Sequence, residues 1–199
     1  MKESSVKENS VKENPVKTLK KWMLLPLVLL TAHAFAADFV FDQNASQLTF
    51  TGTYDGEPIE GKFEKFSGKL KLDFGRAKNA AFDVTISVAS LNTDYQDRDD
   101  TLKSDAWFDA AKFPTARFVS SSACTATAAA LSCPGMFTLH GVTKPLALAI
   151  KIDAKTQTLV GTAAINRHNF GIGSGEWDDS GLIGDTVKVE FRLGGLKTK

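Results

Sequence analysis

Residues 82–88 read FDVTISV, and they set the pattern for the rest of the chain. Phe82, Val84 and Ile86 are each separated from the next by a single polar residue. Because successive side chains of a β-strand point to opposite faces, this alternation predicts a strand with one apolar and one solvated face. The stretch therefore favours a fold built from half-buried sheets.

The same alternation recurs along most of the chain after residue 36. It is clearest at 48–51, 69–74, 146–152 and 187–193, and further strands are predicted at 115–122, 134–139 and 159–167. Turn-forming residues separate these segments, among them Asp55-Gly56, Lys78-Asn79, Gly141 and Gly181. About eight strands at regular spacing predict an all-β fold, either an antiparallel β-barrel or a sandwich.

The segment 97–113, DRDDTLKSDAWFDAAKF, interrupts this rhythm. It has no alternation, its apolar residues fit short helical turns, and Pro114 follows it. Asp99 and Asp100 are candidates for the helix N-cap. We therefore expect a short helical insertion that can cover one end of a barrel.

Both cysteines, Cys124 and Cys133, follow the predicted export signal described below. In an oxidising compartment two cysteines nine positions apart are expected to form a disulfide, with two separate buried thiols as the alternative. The spacing excludes a catalytic C-x-x-C motif.

Phenylalanine dominates the aromatic residues, with 14 Phe against two Tyr. Phe has no hydroxyl group to satisfy, so the interior is expected to be strongly apolar. That interior is either a filled core or a cavity for an apolar ligand, since an eight-stranded barrel is about wide enough for one small ligand. Pattern alone leaves both readings open.

Candidate ligand contacts come from the apolar faces of the predicted strands. They are Phe50, Phe63, Phe66, Leu70, Leu72, Phe82, Val84, Ile86, Phe118, Phe137 and Leu139. Arg167 and Trp177 are candidates for a polar mouth that holds a headgroup, with a structural ion pair or a surface site as the alternative. Arg98 and Asp99 are assigned to holding the insertion.

Residues with catalytic or metal-binding patterns are scarce after residue 36. Only His140 and His168 remain there, so a metal centre and any cofactor other than a bound lipid are not expected. The stretch 171–175, GIGSG, matches neither a nucleophile elbow nor a dinucleotide-binding loop, and it predicts a turn. No catalytic residue is therefore assigned, and an enzyme is not expected.

The segment 16–36, VKTLKKWMLLPLVLLTAHAFA, predicts a cleaved secretory signal. Its lysines precede an apolar core about half as long as the roughly 20 residues that span a bilayer, and it ends in A-x-A. Upstream, 1–15 holds a repeated SVKEN and is either an unfolded extension or a start placed too early. We therefore expect export to the periplasm, with one domain over 37–199.

Removal of this signal changes the charge of the protein. Residues 1–36 hold six of the 24 basic and three of the 23 acidic residues, so 18 basic and 20 acidic residues remain. With no basic block left, nucleic acid and anionic membrane surfaces are not expected as partners.

Several motifs together resemble the YceI family of exported lipid-binding proteins. These are Ser46–Thr53 (SQLTFTGT), Glu60–Phe63, the R-D-x-x-L element of Arg98–Leu102, Trp107–Asp109, Lys112–Pro114, the L-x-G-V-T-K-P element of Leu139–Pro145, and Asn166–Gly173. The resemblance covers essentially all of 37–199.

The resemblance implies a lipocalin-like antiparallel barrel with an apolar tunnel. Members of the family bind polyisoprenoids, isoprenoid quinones or fatty amides there, so a periplasmic carrier of such a lipid is expected. The histidine that many members carry after the first strand is missing from Thr53–Gly56. The chain is more similar to a variant of the family in which some members are fused to, or encoded beside, membrane cytochromes of b type. A membrane cytochrome partner, a homodimer and a ligand-free structural or stress role are therefore kept as alternatives.

Overall fold

The computed structural model describes residues 37–199, apart from Gly75 and Ala129. The predicted extension 1–15 and the predicted signal 16–36 lie outside the described residues. Within the described range, no helix has the length and apolar character needed to cross a membrane.

Strands dominate the described residues, and each predicted strand is present. The strands are β1 (Ala37–Tyr54), β2 (Glu57–Phe63), β3 (Phe66–Leu72), β4 (Ala81–Ser87), β5 (Leu91–Asn92), β6 (Thr115–Ser120), β7 (Thr125–Ala126), β8 (Leu131–Leu139), β9 (Val142–Asp153), β10 (Thr158–Asn166) and β11 (Thr186–Thr198). One α-helix, α1 (Gln96–Lys103), and short 3₁₀ turns at 77–79, 88–90, 167–170 and 175–177 accompany them.

Eight of these strands close into an antiparallel barrel, which confirms the predicted fold class. The order around the barrel is β1, β3, β4, β6, β8, β9, β10 and β11, and β11 returns to pair with β1. The first part of β1 pairs with β3, whereas its second part pairs with β2 after register shifts between Val40 and Gln47. β1 is a strand of 18 residues, longer than the alternation alone indicated, and the shifts mark a bulge or irregularity within it.

The barrel has two different ends. At one end, named here the closed end, the inward side chains are packed to at most 2% exposure. They are Leu70, Leu72, Ile150 and Leu159. At the other, the cavity end, residues of α1 and of the segment after it lie over the barrel interior. The helical insertion thus covers the end where the predicted barrel needed a cover.

A disulfide joins Cys124 to Cys133 at the closed end, as predicted. Both cysteines are buried, and the backbone N–H of Cys124 donates to the carbonyl of Lys78 at 2.8 Å. The bridge therefore ties the β6–β8 connection to β8, and the hydrogen bond ties the same connection to the segment before β4.

The predicted helix cap is wrong. The helix begins at Gln96 with Tyr95 as its N-cap residue, and Asp99 lies inside α1 and is buried. Asp99 Oδ1 instead accepts hydrogen bonds from the backbone N–H and the hydroxyl of Thr93, at 2.8 and 2.6 Å. The Asp99 carboxylate binds the preceding loop and does not cap the helix, because the buried polar groups of Thr93 need a hydrogen-bond acceptor.

Candidate functional site

The barrel encloses a cavity of about 540 Å³ at the end covered by α1, and the wall of this cavity is almost entirely apolar. This volume lies in the range of small-molecule sites. Of the predicted ligand contacts, these line it: Phe50, Phe63, Phe66, Phe82, Val84, Ile86, Phe118, Phe137 and Leu139. Leu70 and Leu72 do not, because they are packed in the closed end at 1% and 2% exposure.

Glycines facing the interior let large rings lie flat against the cavity wall. A Cβ on Gly135 would collide with the ring of Phe118, and one on Gly161 would collide with Phe191. Both rings line the cavity, and Phe191 is the direct cross-strand neighbour of Gly161. The missing side chain therefore keeps the lumen open where a larger residue would push the ring inward.

Exposed aromatic side chains mark the opening of the cavity. Tyr54 and Tyr95 line it and are 47% and 58% exposed, which places them at a rim in contact with solvent. Asp97 and Arg98 of α1 also line the cavity. Arg98 Cζ lies 5.7 Å from the ring centroid of Tyr95. The rim is thus built from the end of β1 and the start of α1.

Arg98 binds Thr93 in the loop before α1, in agreement with its assignment from the sequence to holding the insertion. Its Nε donates to the hydroxyl of Thr93 at 2.8 Å, and its Nη2 donates to the Thr93 carbonyl at 2.7 Å. Together with the bonds from Thr93 to Asp99, these contacts anchor α1 over the barrel. The anchor fixes one side of the opening.

Arg167 and Trp177, the predicted mouth residues, both line the cavity. Arg167 is only 2% exposed, and its guanidinium donates to the carbonyls of Ile172, Gly173 and Ile183 at 3.2, 2.8 and 3.2 Å. Its role in holding these loops is therefore structural, and a ligand role stays a prediction. Sequence could not separate the two, because an arginine after a strand fits either.

Trp107 is a cavity residue that the ligand-contact prediction missed. It follows α1, and its ring lies 5.9 Å from that of Trp177, centroid to centroid. The signal for it was weak, because Trp107 lies in the insertion outside any alternating strand. Its place in the W-F-D element of the family resemblance was the available hint.

His168 lies in a polar cluster beside the cavity. Its Nε2 is 2.8 Å from Asp185 Oδ1 and 3.4 Å from Ser180 Oγ, and its Nδ1 is 3.0 Å from Asp178. Hydrogen bonds from Ser180 and then from His168 hold the pKa of Asp185 below its ordinary value. The shortest of these contacts joins Nε2 to Asp185, so the carboxylate occupies the ring nitrogen that would have to activate the Ser180 hydroxyl as a nucleophile.

No group of three or more His, Cys, Asp or Glu side chains that could hold a metal ion occurs among the described residues. The carboxylates around His168 contact different ring nitrogens, so they do not converge on one point.

Comparisons with known proteins agree with this architecture. A family model described as YceI-like domain matches residues 39–194. A UPF0312 protein of Shewanella denitrificans is 29% identical over 90% of this chain and 100% of its own. The crystal structure of Burkholderia cenocepacia BcnA has a TM-score of 0.70 and 31% identity, covering 79% of this chain and 99% of that one.

A further solved structure matches the fold at lower identity. It is a polyisoprenoid binding domain from Saccharophagus degradans implicated in plant cell wall breakdown, with a TM-score of 0.60 and 18% identity. It covers 82% of this chain and 99% of that one.

Proposed function

The chain belongs to the YceI-like family, and on that premise we propose that it binds the hydrocarbon tail of a lipid inside its barrel, as a carrier in the periplasm. A polyisoprenoid or an isoprenoid quinone is the ligand class proposed. The observation that carries the proposal is the apolar cavity of about 540 Å³ with its exposed rim.

The energy of such binding comes from the wall itself. Burial of a tail contributes about 0.8 kcal/mol per CH₂ group, less the cost of ordering the chain and of association. Affinity for a tail therefore needs no charged side chain. The phenylalanine rings that line the cavity supply apolar area with no polar group to satisfy.

The choice of ligand class is supported by the solved relative from Saccharophagus degradans, which is described as polyisoprenoid binding. Catalysis is not proposed, because Asp185 contacts His168 Nε2 more closely than Ser180 does and so occupies the nitrogen that would activate the serine. A membrane cytochrome partner and a homodimer stay predictions from the sequence.

The test uses a matched pair of substitutions on β10. Ala163 is buried and lines the cavity, whereas Ala164 is exposed on the outer face of the same strand. Delipidated wild-type protein, Ala163→Phe and Ala164→Phe are titrated with a menaquinone and, separately, with a long-chain fatty amide. We expect saturable binding to the wild type and to Ala164→Phe, and at least a tenfold weaker affinity for Ala163→Phe because the new ring occupies the cavity.

Circular dichroism of the three proteins checks that each is folded. Failure of every ligand to bind the folded wild type in a saturable way would refute the proposal. Equal affinities of the two variants would place the ligand outside the cavity.

A further inference from the structure

Two residues that line the cavity carry a buried N–H group with no acceptor among the described residues: Trp107 at Nε1 and Arg167 at Nε. Buried polar groups in folded proteins are nearly always hydrogen-bonded, and a donor left without an acceptor destabilises the state that buries it. Two such donors on residues that line the cavity indicate that the ligand supplies the acceptor.

The two donors are held by the same short loop. The backbone N–H of Gly173 donates to the carbonyl of Ala106 at 3.0 Å, and the carbonyl of Gly173 accepts from Arg167 Nη1 at 2.8 Å. A Cβ on Gly173 would lie 2.7 Å from Arg167 Nη1 and 3.4 Å from Trp107 Cη2. Both side chains therefore pack against Gly173, Arg167 through Nη1 and Trp107 through the far edge of its ring. This packing restricts their motion, which lowers the ordering cost of a bond to ligand.

The charge of Arg167 is already met by other groups. Its terminal nitrogens donate to three backbone carbonyls, and Asp185 lies 3.9 Å from Nη2. Nε is the guanidinium nitrogen that makes no hydrogen bond in the structure, and Trp107 adds a neutral N–H. Donors of this kind suit one neutral oxygen acceptor better than a second anion beside Asp185.

We propose that Trp107 and Arg167 form a polar subsite at the cavity wall, where their N–H groups donate hydrogen bonds to a neutral carbonyl oxygen at the head of the bound lipid. The chemical class is a quinone, ketone or amide carbonyl, in contrast to a plain hydrocarbon. This inference rests on the proposed function, since it assumes that a tail occupies the barrel.

The experiment compares a long-chain methyl ketone with the alkane of the same length, on the wild type and on Trp107→Phe. A ketone accepts hydrogen bonds and donates none, so the pair isolates the carbonyl. We expect the wild type to bind the ketone about tenfold more tightly than the alkane. In Trp107→Phe that ratio falls to about threefold or less, because only Arg167 Nε remains. Lost packing would lower both affinities together and leave the ratio intact.

A second readout needs no variant. In the NMR spectrum of the wild type, the indole N–H proton of Trp107 should move downfield on addition of the ketone and not of the alkane. Equal affinity for the two ligands, an unmoved indole proton or a ratio retained in Trp107→Phe would overturn the subsite while leaving tail binding intact. If neither ligand binds, the proposed function itself fails, and the subsite fails with it.

Discussion

At the closed end of the barrel Ile150 is fully buried, whereas Leu148, two residues earlier on the same face of β9, lines the cavity. The same contrast occurs on β10, where Leu159 is packed and Ala163 faces the cavity. Alternation puts all four side chains on the inner face. Whether an inner residue becomes core or wall depends on its position along the strand and on what lies across from it.

The largest effect should follow from emptying the closed end. Ile150→Ala should lower the free energy of unfolding by about 3–4 kcal/mol, because it leaves a void in a packed region. Leu148→Ala should lower it by less than half as much, since its side chain already borders the cavity. Urea unfolding of the delipidated proteins measures both values.

Ligand titration supplies the converse control for this pair. Leu148→Ala should change the affinity for a bound tail, and Ile150→Ala should leave it within about twofold of the wild type. Equal losses of stability, or a larger affinity change for Ile150→Ala, would mean that the two ends do not differ as described.

Loss of the disulfide should have the next largest effect, again confined to the closed end. Replacing both Cys124 and Cys133 by Ser removes a bridge across nine positions, which should lower the free energy of unfolding by about 2–3 kcal/mol. Urea unfolding measures the loss, and unfolding of the wild type in a reducing agent provides the matched comparison. A large change in ligand affinity without a change in stability would contradict this assignment.

The smallest effect is expected from the glycines at the cavity end. Gly161→Ala should push the ring of Phe191 into the lumen, weakening ligand binding several-fold and lowering stability by about 1 kcal/mol. Gly52 is the control, because it also lines the cavity but a Cβ there meets its nearest neighbour, Val187, at 3.9 Å. Isothermal titration should show a clear loss for Gly161→Ala and almost none for Gly52→Ala, and the reverse order would refute the role of the Gly–Phe contacts.

The sequence predicts the strands well because their signal is local, whereas the choice of a barrel over a sandwich came from the family resemblance. Each alternating segment, such as 82–88, carries its own evidence for a strand, and the spacing of turns adds the count. The N-cap of α1 was harder to predict, because four polar residues in succession, Gln96 to Asp99, offer several plausible starts for the helix. The observed start of the helix leaves Asp99 bound to Thr93, a buried partner that only the folded chain brings close to it.

The cavity is predicted only in part, for a physical reason. Leu72 and Phe66 share one face of β3, yet only Phe66 borders the cavity. Their difference arises from residues far away in sequence. Trp107 was missed for the same reason, since it reaches the wall through the contact of its loop with Gly173.

The proposed function requires the lipid tail to occupy the cavity end of the barrel, and not the closed end or the outer surface. A prenyl probe with a photoreactive diazirine at the end of its tail tests this claim directly, with crosslinked peptides mapped by mass spectrometry. We expect saturable labelling on inward residues of β4, β6 and β8, such as Phe82, Phe118 and Phe137, and we expect an unlabelled isoprenoid quinone to abolish it. Labelling that does not saturate, or that falls on outward residues such as Ala164, would contradict it.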